Sequence, residues 1–268
     1  MRGRYRPYYL ARDFEKEVTA KEKCQMDGPG AYLPLFRIID FPSIGFRTAM
    51  RCWITQRPVE LMSSVEEDAF LLFHTYLEVV QIFEQVALDP TETRQIAKDL
   101  KVEHPAVKEG EIIMSSDFVV TVATSAVPHR RAFAVKREVD LSQRVIEKLA
   151  IEREYWRRRN IDWTLLLDSE LPRIEVENMR LVYDWHDPSR LPCNNHTIEL
   201  IRAWLTPHVE TENRALRTLA QRCDDALHLE TGTSLGVAYH LMVRRIWPVD
   251  FSHPFHSIPK LTSKVLTP

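Results

Sequence analysis

The chain has 268 residues, 44% of them apolar and 28% charged, with a formal net charge of -2. This composition suits one large or two ordinary globular domains and excludes a disordered chain. The near-neutral balance excludes a uniformly basic coat, so contact with nucleic acid has to come from a local patch.

Residues 1 to about 62 read as an irregular arm, punctuated by Gly28-Pro29-Gly30 and Phe41-Pro42-Ser43, with a short β element near Arg51–Ile54. The arm has no apolar core of the signal-peptide kind, and no apolar run in the chain approaches 18 residues. Ser63 and Ser64 ahead of Glu66 and Glu67 make a capping-box pattern, which predicts a helix to about Leu77. Val79 to Phe83 is β-branched and aromatic and reads as a strand, and Pro90 opens a short helix that His104-Pro105 ends. Strands are predicted at about Asp117–Thr124 and Arg131–Lys136, joined by a polar turn carrying Pro128. Antiparallel pairing sets Phe118 or Asp117 opposite Lys136. A long helix follows over about Leu141–Arg159, then a strand at Trp163–Leu167. Helix, strand, hairpin, helix, strand predicts a mixed sheet with helices on its faces. Beyond Pro172, helices at Thr197–Leu205, Thr211–Leu229 and Ser234–Ile246 precede a short strand at Trp247–Phe251. A winged-helix-like module fits that order, and so does a plain helical bundle.

The cysteines, Cys24, Cys52, Cys193 and Cys223, are scattered and form no CxxC, which points to a reducing cytosol and to small buried side chains. No GxGxxG or GxxxxGK occurs among only seven glycines, which argues against bound NAD or ATP. His253 and His256 are three apart, but a proline intervenes and no cysteine or carboxylate cluster supports zinc. Between Arg130 and Asn160 there are ten Lys/Arg against five Asp/Glu. Arg130, Arg131 and Arg137 belong to this stretch, and Arg244 and Arg245 lie near the end of the last predicted helix. All five are candidate phosphate contacts, or else parts of solvated faces.

Asp117 and Lys136 fall at the open end of the predicted hairpin. A carboxylate and a lysine on neighbouring strand ends can hold a divalent cation and polarise water beside a phosphate. The same two residues can form a salt bridge at a sheet margin. Two further carboxylates stand inside apolar helical stripes: Glu66 lines up with Ala69, Phe70, Phe73 and Leu77, and Glu152 with Val145, Leu149 and Trp156. Burying an unpaired carboxylate is costly, so each must pair, bind a cation, or reach water from its helix.

Several short segments carry a resemblance. Ser63-Ser64-Val65-Glu66, Thr93-Arg94-Gln95-Ile96-Ala97, His104-Pro105, Met114-Ser115-Ser116-Asp117-Phe118, Ala134-Val135-Lys136 and Glu147-Lys148-Leu149-Ala150-Ile151-Glu152-Arg153-Glu154-Tyr155-Trp156 occur in the order seen in the TnsA family. That family comprises endonuclease subunits of heteromeric cut-and-paste transposases. The resemblance is clearest from about Glu60 to Asp168 and returns at Gly232-Thr233-Ser234-Leu235 and at Ile246-Trp247-Pro248-Val249-Asp250.

The resemblance implies an arm at 1–62, a restriction-endonuclease-like α/β catalytic domain at 63–170, and a winged-helix-like DNA- or partner-binding domain at 171–268. It implies Mg²⁺, with Mn²⁺ able to substitute, held by Glu66, Asp117 and the Val135 carbonyl. Lys136 would be the lysine of the active site and Glu152 a further acidic position linked to it. Where the family commonly has an acid or amide two residues before the lysine, this chain has Ala134, which supplies no side-chain ligand. The implied activity is cleavage of transposon-end DNA at its 5′ ends, the non-transferred strands, in a bacterial cytoplasm and away from any membrane. The implied partners are a TnsB-like DDE transposase and a TnsC-like AAA+ ATPase regulator. Two other functions suit the same residues: a stand-alone restriction or repair nuclease, and a DNA-binding assembly subunit whose site has decayed.

Overall fold

The computed structural model describes residues 10, 26–27, 32–40, 46–124 and 127–255. The Gly28-Pro29-Gly30 and Phe41-Pro42-Ser43 punctuation, Cys24 and His256 lie outside these residues. The chain divides into two compact units, Met1–Leu171 and Pro172–Pro268.

In the first unit a hairpin of β1 (Thr48–Arg51) and β2 (Pro58–Leu61) precedes helix α1 (Ser64–Phe73). Arg57, just ahead of β2, donates to both carboxylate oxygens of the fully buried Glu84 and to the Ile82 carbonyl, tying the hairpin to the sheet. Ser63 caps α1 as the serine pattern predicts, accepting from Glu66 N at 3.2 Å. The helix ends at Phe73, four residues before the predicted end, and Leu77 is 73% exposed. The Thr75 hydroxyl closes that end on the Leu72 carbonyl at 2.7 Å.

Next come β3 (Val79–Ala87), α2 (Pro90–Leu100), the two-residue strands β4 (Ala106–Val107) and β5 (Gly110–Glu111), β6 (Ser115–Val122), β7 (His129–Lys136), α3 (Gln143–Arg157) and β8 (Asp162–Leu167). Strands β3, β6, β7 and β8 form one mixed sheet in that order, antiparallel until the parallel β7–β8 pair. This four-stranded sheet with flanking helices is the α/β arrangement expected of a restriction-endonuclease-like fold. The predicted hairpin register is corrected: Phe118 pairs with Phe133, and Lys136 stands three positions further on.

The pairs Phe118–Phe133 and Val119–Ala132 point to opposite faces, because side chains alternate along a strand. Phe73 of α1 packs edge-on against Phe118 and at a tilt against Phe133, at 5.3 and 5.0 Å between ring centroids. Val119 and Ala132 share a core with Ile151, Tyr155 and Trp156 of α3. Helices α1 and α3 therefore cover opposite faces.

The β3–β6 register shifts between Val79 and Gln81, and side-chain alternation breaks again further along. Phe83 and Val86 both belong to the α3 core, although three residues of regular strand would separate them. Gln85 lies between them in the left-handed region, at φ 47°. Strand β6 shifts in the same place: Val119, opposite Phe83, and Ser116, opposite Val86, both reach α3. The row where both strands change phase holds Gln85 and Asp117.

Among its described residues the second unit has four α-helices, α4 (Arg173–Val182), α5 (Asn195–Thr211), α6 (Leu216–Leu227) and α7 (Thr233–Val243). Three correspond to predicted helices, and α4 is additional. Its buried face is only Val176, Asn178, Met179 and Val182, a weak stripe beside Pro172. The predicted strand at Trp247–Phe251 is not formed, and the described residues of this unit contain no strand that could serve as a wing. Pro248 lacks an N–H, and the Asn178 amide takes the local backbone groups instead. It donates to the Phe251 and His253 carbonyls and accepts from Phe255 N. No helix among the described residues is long and apolar enough to cross a membrane.

Candidate active site

Asp117 sits where β6 and β7 part. Its Oδ2 accepts the Val135 amide at 2.7 Å and the Lys136 ammonium at 2.6 Å. The aspartate carboxylate has taken the place that a β6 carbonyl would fill in a continued ladder, which holds the strand ends open. An N–H and C=O of one strand residue face the same neighbour in antiparallel pairing, so the Val135 carbonyl is turned into this gap beside Asp117. The next carbonyl, of Lys136, faces β8 and accepts from Asp168 N at 3.1 Å. Lys136 is raised above its ordinary pKa although burial opposes its charge. Asp117 is the chief attraction, followed by Glu152 and Glu66.

Glu66 enters from the α1 face and Glu152 from the α3 face. Glu66, 6% exposed, occupies the third position of its helix. Its Oε2 accepts from Met62 N at 3.0 Å and the Gln85 amide at 3.1 Å, and its Oε1 from the Ser63 hydroxyl at 3.1 Å. Burial, then the Asp117 charge, pushes its pKa up to about 7. Glu152, 5% exposed, accepts on Oε1 from the Ser116 hydroxyl at 2.7 Å and the Trp163 indole at 3.0 Å. The Trp156 indole donates to the same Ser116 oxygen at 2.7 Å, so Ser116 links two aromatic residues and the acid. Burial followed by Asp117 again raises the acid to about 7. Two carboxyls on opposite faces thus both feel one aspartate, and burial raises both.

Among the described residues no group of three or more His, Cys, Asp or Glu side chains is gathered in a way that could hold a metal ion. The donors expected from the sequence are the carboxylates of Glu66 and Asp117 and the Val135 carbonyl. They are all oxygen, which suits a hard cation of the Mg²⁺ or Mn²⁺ type rather than zinc. Ala134 is fully buried and adds no polar atom.

The arginines proposed as phosphate contacts are dispersed. Arg130 and Arg131 lie at the far end of β7, five to six residues from Lys136, which is about 20 Å along a strand. Arg130 is paired with Asp27, and Arg131 lies over the Phe133 ring at 5.5 Å. Arg137 adjoins the site but chelates Asp140 at 2.8 and 3.0 Å. Arg244 and Arg245 belong to the second unit. Arg245 lies 4.2 Å over the Phe251 ring with burial lowering its pKa, and Arg244 meets His186 Nε2 at 3.3 Å. His253 pairs with Asp250 at 3.0 Å. Cys52 and Cys223 are buried free thiols, as expected of small apolar cysteines, whereas Cys193 is only half-buried.

Three polar residues of this site escape a reading by periodicity: Gln85, Ser116 and Trp163. The available signal was the polar pair Glu84-Gln85 inside a mostly apolar strand, and Ser116 next to Asp117.

Two family models match the chain. Residues 77–168 match the TnsA-like endonuclease N-terminal family, and residues 170–251 the TnsA endonuclease C-terminal family. The transposon Tn7 transposition protein TnsA of Escherichia coli is 30% identical over 209 residues, covering 76% of this chain and 74% of that protein. The chain belongs to the TnsA family of transposition endonucleases.

Proposed function

We propose that this chain is the divalent-cation-dependent endonuclease subunit of a Tn7-like transposase, cutting the 5′ ends of the element, the non-transferred strands. The observation that carries the reading is the Lys136–Asp117 contact in the parted strands, with Glu66 held alongside. Glu66, Asp117 and the Val135 carbonyl hold the cation, and Mg²⁺ is the natural one with Mn²⁺ as substitute. A cation held there would supply Lewis-acid activation of water and charge stabilisation at the leaving 3′ oxygen. Lys136 keeps its proton under the pull of three carboxylates and presents a fixed positive charge to the scissile phosphate. Glu152, anchored by Ser116 and Trp163, holds negative potential behind Lys136. A TnsB-like DDE transposase cuts and joins the 3′ ends, and a TnsC-like ATPase licenses assembly. The 171–268 segment and Arg137 track phosphates of the transposon end.

Excision reconstituted with those partners tests the reading on the 5′ strands. Asp117→Ala and Lys136→Ala should each abolish 5′-strand cleavage while 3′ joining persists. Full 5′ cleavage by either variant refutes the assignment. Cutting by the isolated chain with Mg²⁺ alone would instead identify a stand-alone nuclease.

A further inference from the structure

Six non-glycine residues among those described have positive φ. Five have an evident local reason. Lys101 and His228 are left-handed caps of α2 and α6, and Gln56 turns the β1–β2 hairpin. Asn160 joins α3 to β8, and Arg245 follows α7. Gln85 alone lies inside a strand, at φ 47°. A long side chain is disfavoured there, and strain of this kind persists only where surrounding structure imposes it.

The side chain shows what the strain achieves. Gln85 is 4% exposed, yet both ends of its amide are engaged. Its Nε2 donates to Glu66 Oε2 at 3.1 Å, and its Oε1 accepts from the Ser115 hydroxyl at 3.3 Å. Its backbone carbonyl also accepts from Leu35 N at 2.9 Å, which fixes the peptide plane. Glu84 pairs with Phe118 and Val86 with Ser116, so Gln85 stands level with Asp117. A regular strand here would break the shared phase of Phe83 and Val86 on the α3 core.

We propose that Gln85 is a positioning residue of the cation site: its buried amide fixes the Glu66 carboxylate beside Asp117, and its left-handed backbone aims the amide there. The proposal rests on the reading of Glu66 and Asp117 as cation ligands. Outer groups that hold a ligand by a hydrogen bond set its orientation, and their loss weakens metal affinity by about 10- to 100-fold. Gln85 has that relation to Glu66, which itself has no basic partner within hydrogen-bonding distance among the described residues.

Calorimetric titration of the full chain with Mn²⁺ tests it, with urea midpoints confirming that each variant is folded. Gln85→Met keeps the length and apolar bulk of the side chain and removes the amide, so Mn²⁺ affinity should fall about tenfold or more. Gln85→Gly relaxes the backbone at φ 47°. It should show the same loss of Mn²⁺ binding, which separates the amide from the strain. Asp117→Ala is the control for the site itself. If Asp117→Ala loses Mn²⁺ and the folded Gln85 variants bind like the parent, the role of Gln85 is overturned and the site stands. If Asp117→Ala binds like the parent, or the parent does not bind, the cation site falls first. Should Gln85→Met not fold, Gln85→Gly decides on the same criterion, and if neither folds, Gln85 is a folding residue and the proposal is wrong.

Discussion

Glu152→Gln should make the cation-free protein more stable at pH 8 and leave it nearly unchanged at pH 5. The native carboxyl titrates at about 7 against an ordinary 4.5, because it is buried and faces Asp117. Between those values the native state binds more protons than the unfolded chain, so stability falls as pH rises through the window. A difference of that size corresponds to about 3 kcal/mol once pH exceeds the upper value. The substituted amide would retain a carbonyl to accept from Ser116 and Trp163, so packing and these two bonds survive. Lys136 would lose one of the carboxylates that hold its proton, which offsets part of the gain. The expected net stabilisation at pH 8 is about 2 kcal/mol. Urea unfolding in chelator at pH 5 and pH 8, at matched ionic strength, measures both ends of the window. No gain at pH 8, or an equal gain at both, would mean that Glu152 is not a protonated buried acid. The pH slope that remains in the variant includes that of Glu66, whose shift has the same sign and cause, and an opposing one from His186, which burial lowers to about 4.

Arg57→Met should destabilise the first unit by about 3–5 kcal/mol, because Glu84 is left buried and unpaired. Adding Glu84→Met should recover much of that loss, and additive urea midpoints would rule out the coupling. In the second unit, a Cβ at Gly236 would lie 2.7 Å from Trp185 Cζ3. Gly236→Ala should therefore lower thermal stability by about 1–3 kcal/mol, and an unchanged melting temperature would show that Trp185 yields freely. Asn178→Ala removes the amide shared by Phe251, His253 and Phe255. Amide exchange at Phe255 should accelerate by about 5- to 150-fold for a loss of about 1–3 kcal/mol, and wild-type protection would refute the clamp.

Much of the first unit was legible because its signals are local. Ser63 capping Glu66, the apolar strands and the stripe of α3 each follow from spacing within one element. Glu66 and Glu152 stood out as carboxylates among apolar neighbours, and both are buried. The register of the β6–β7 hairpin was not legible, since it is set at the turn end, where Val122 meets His129, and this leaves Lys136 three positions beyond the partner of Phe118. Gln85 was hidden for a related reason. Its role depends on a backbone conformation that no composition rule assigns to glutamine. The second unit lost its predicted strand because a distant asparagine, rather than a neighbouring strand, satisfies the backbone near Pro248. Helix α4 was missed because its stripe is short and includes Asn178 itself.

The Ser116 linkage gives this protein an optical probe that nature has already installed. Trp163 donates directly to Glu152, and Trp156 reaches the same acid through one hydroxyl. Gain or loss of a proton on Glu152 changes the charge at one hydrogen bond from the first indole and two from the second. Emission of these tryptophans will therefore shift with the ionisation of the site, in the unlabelled protein and without substrate. Replacing either indole with phenylalanine in turn would show which one carries the colour change.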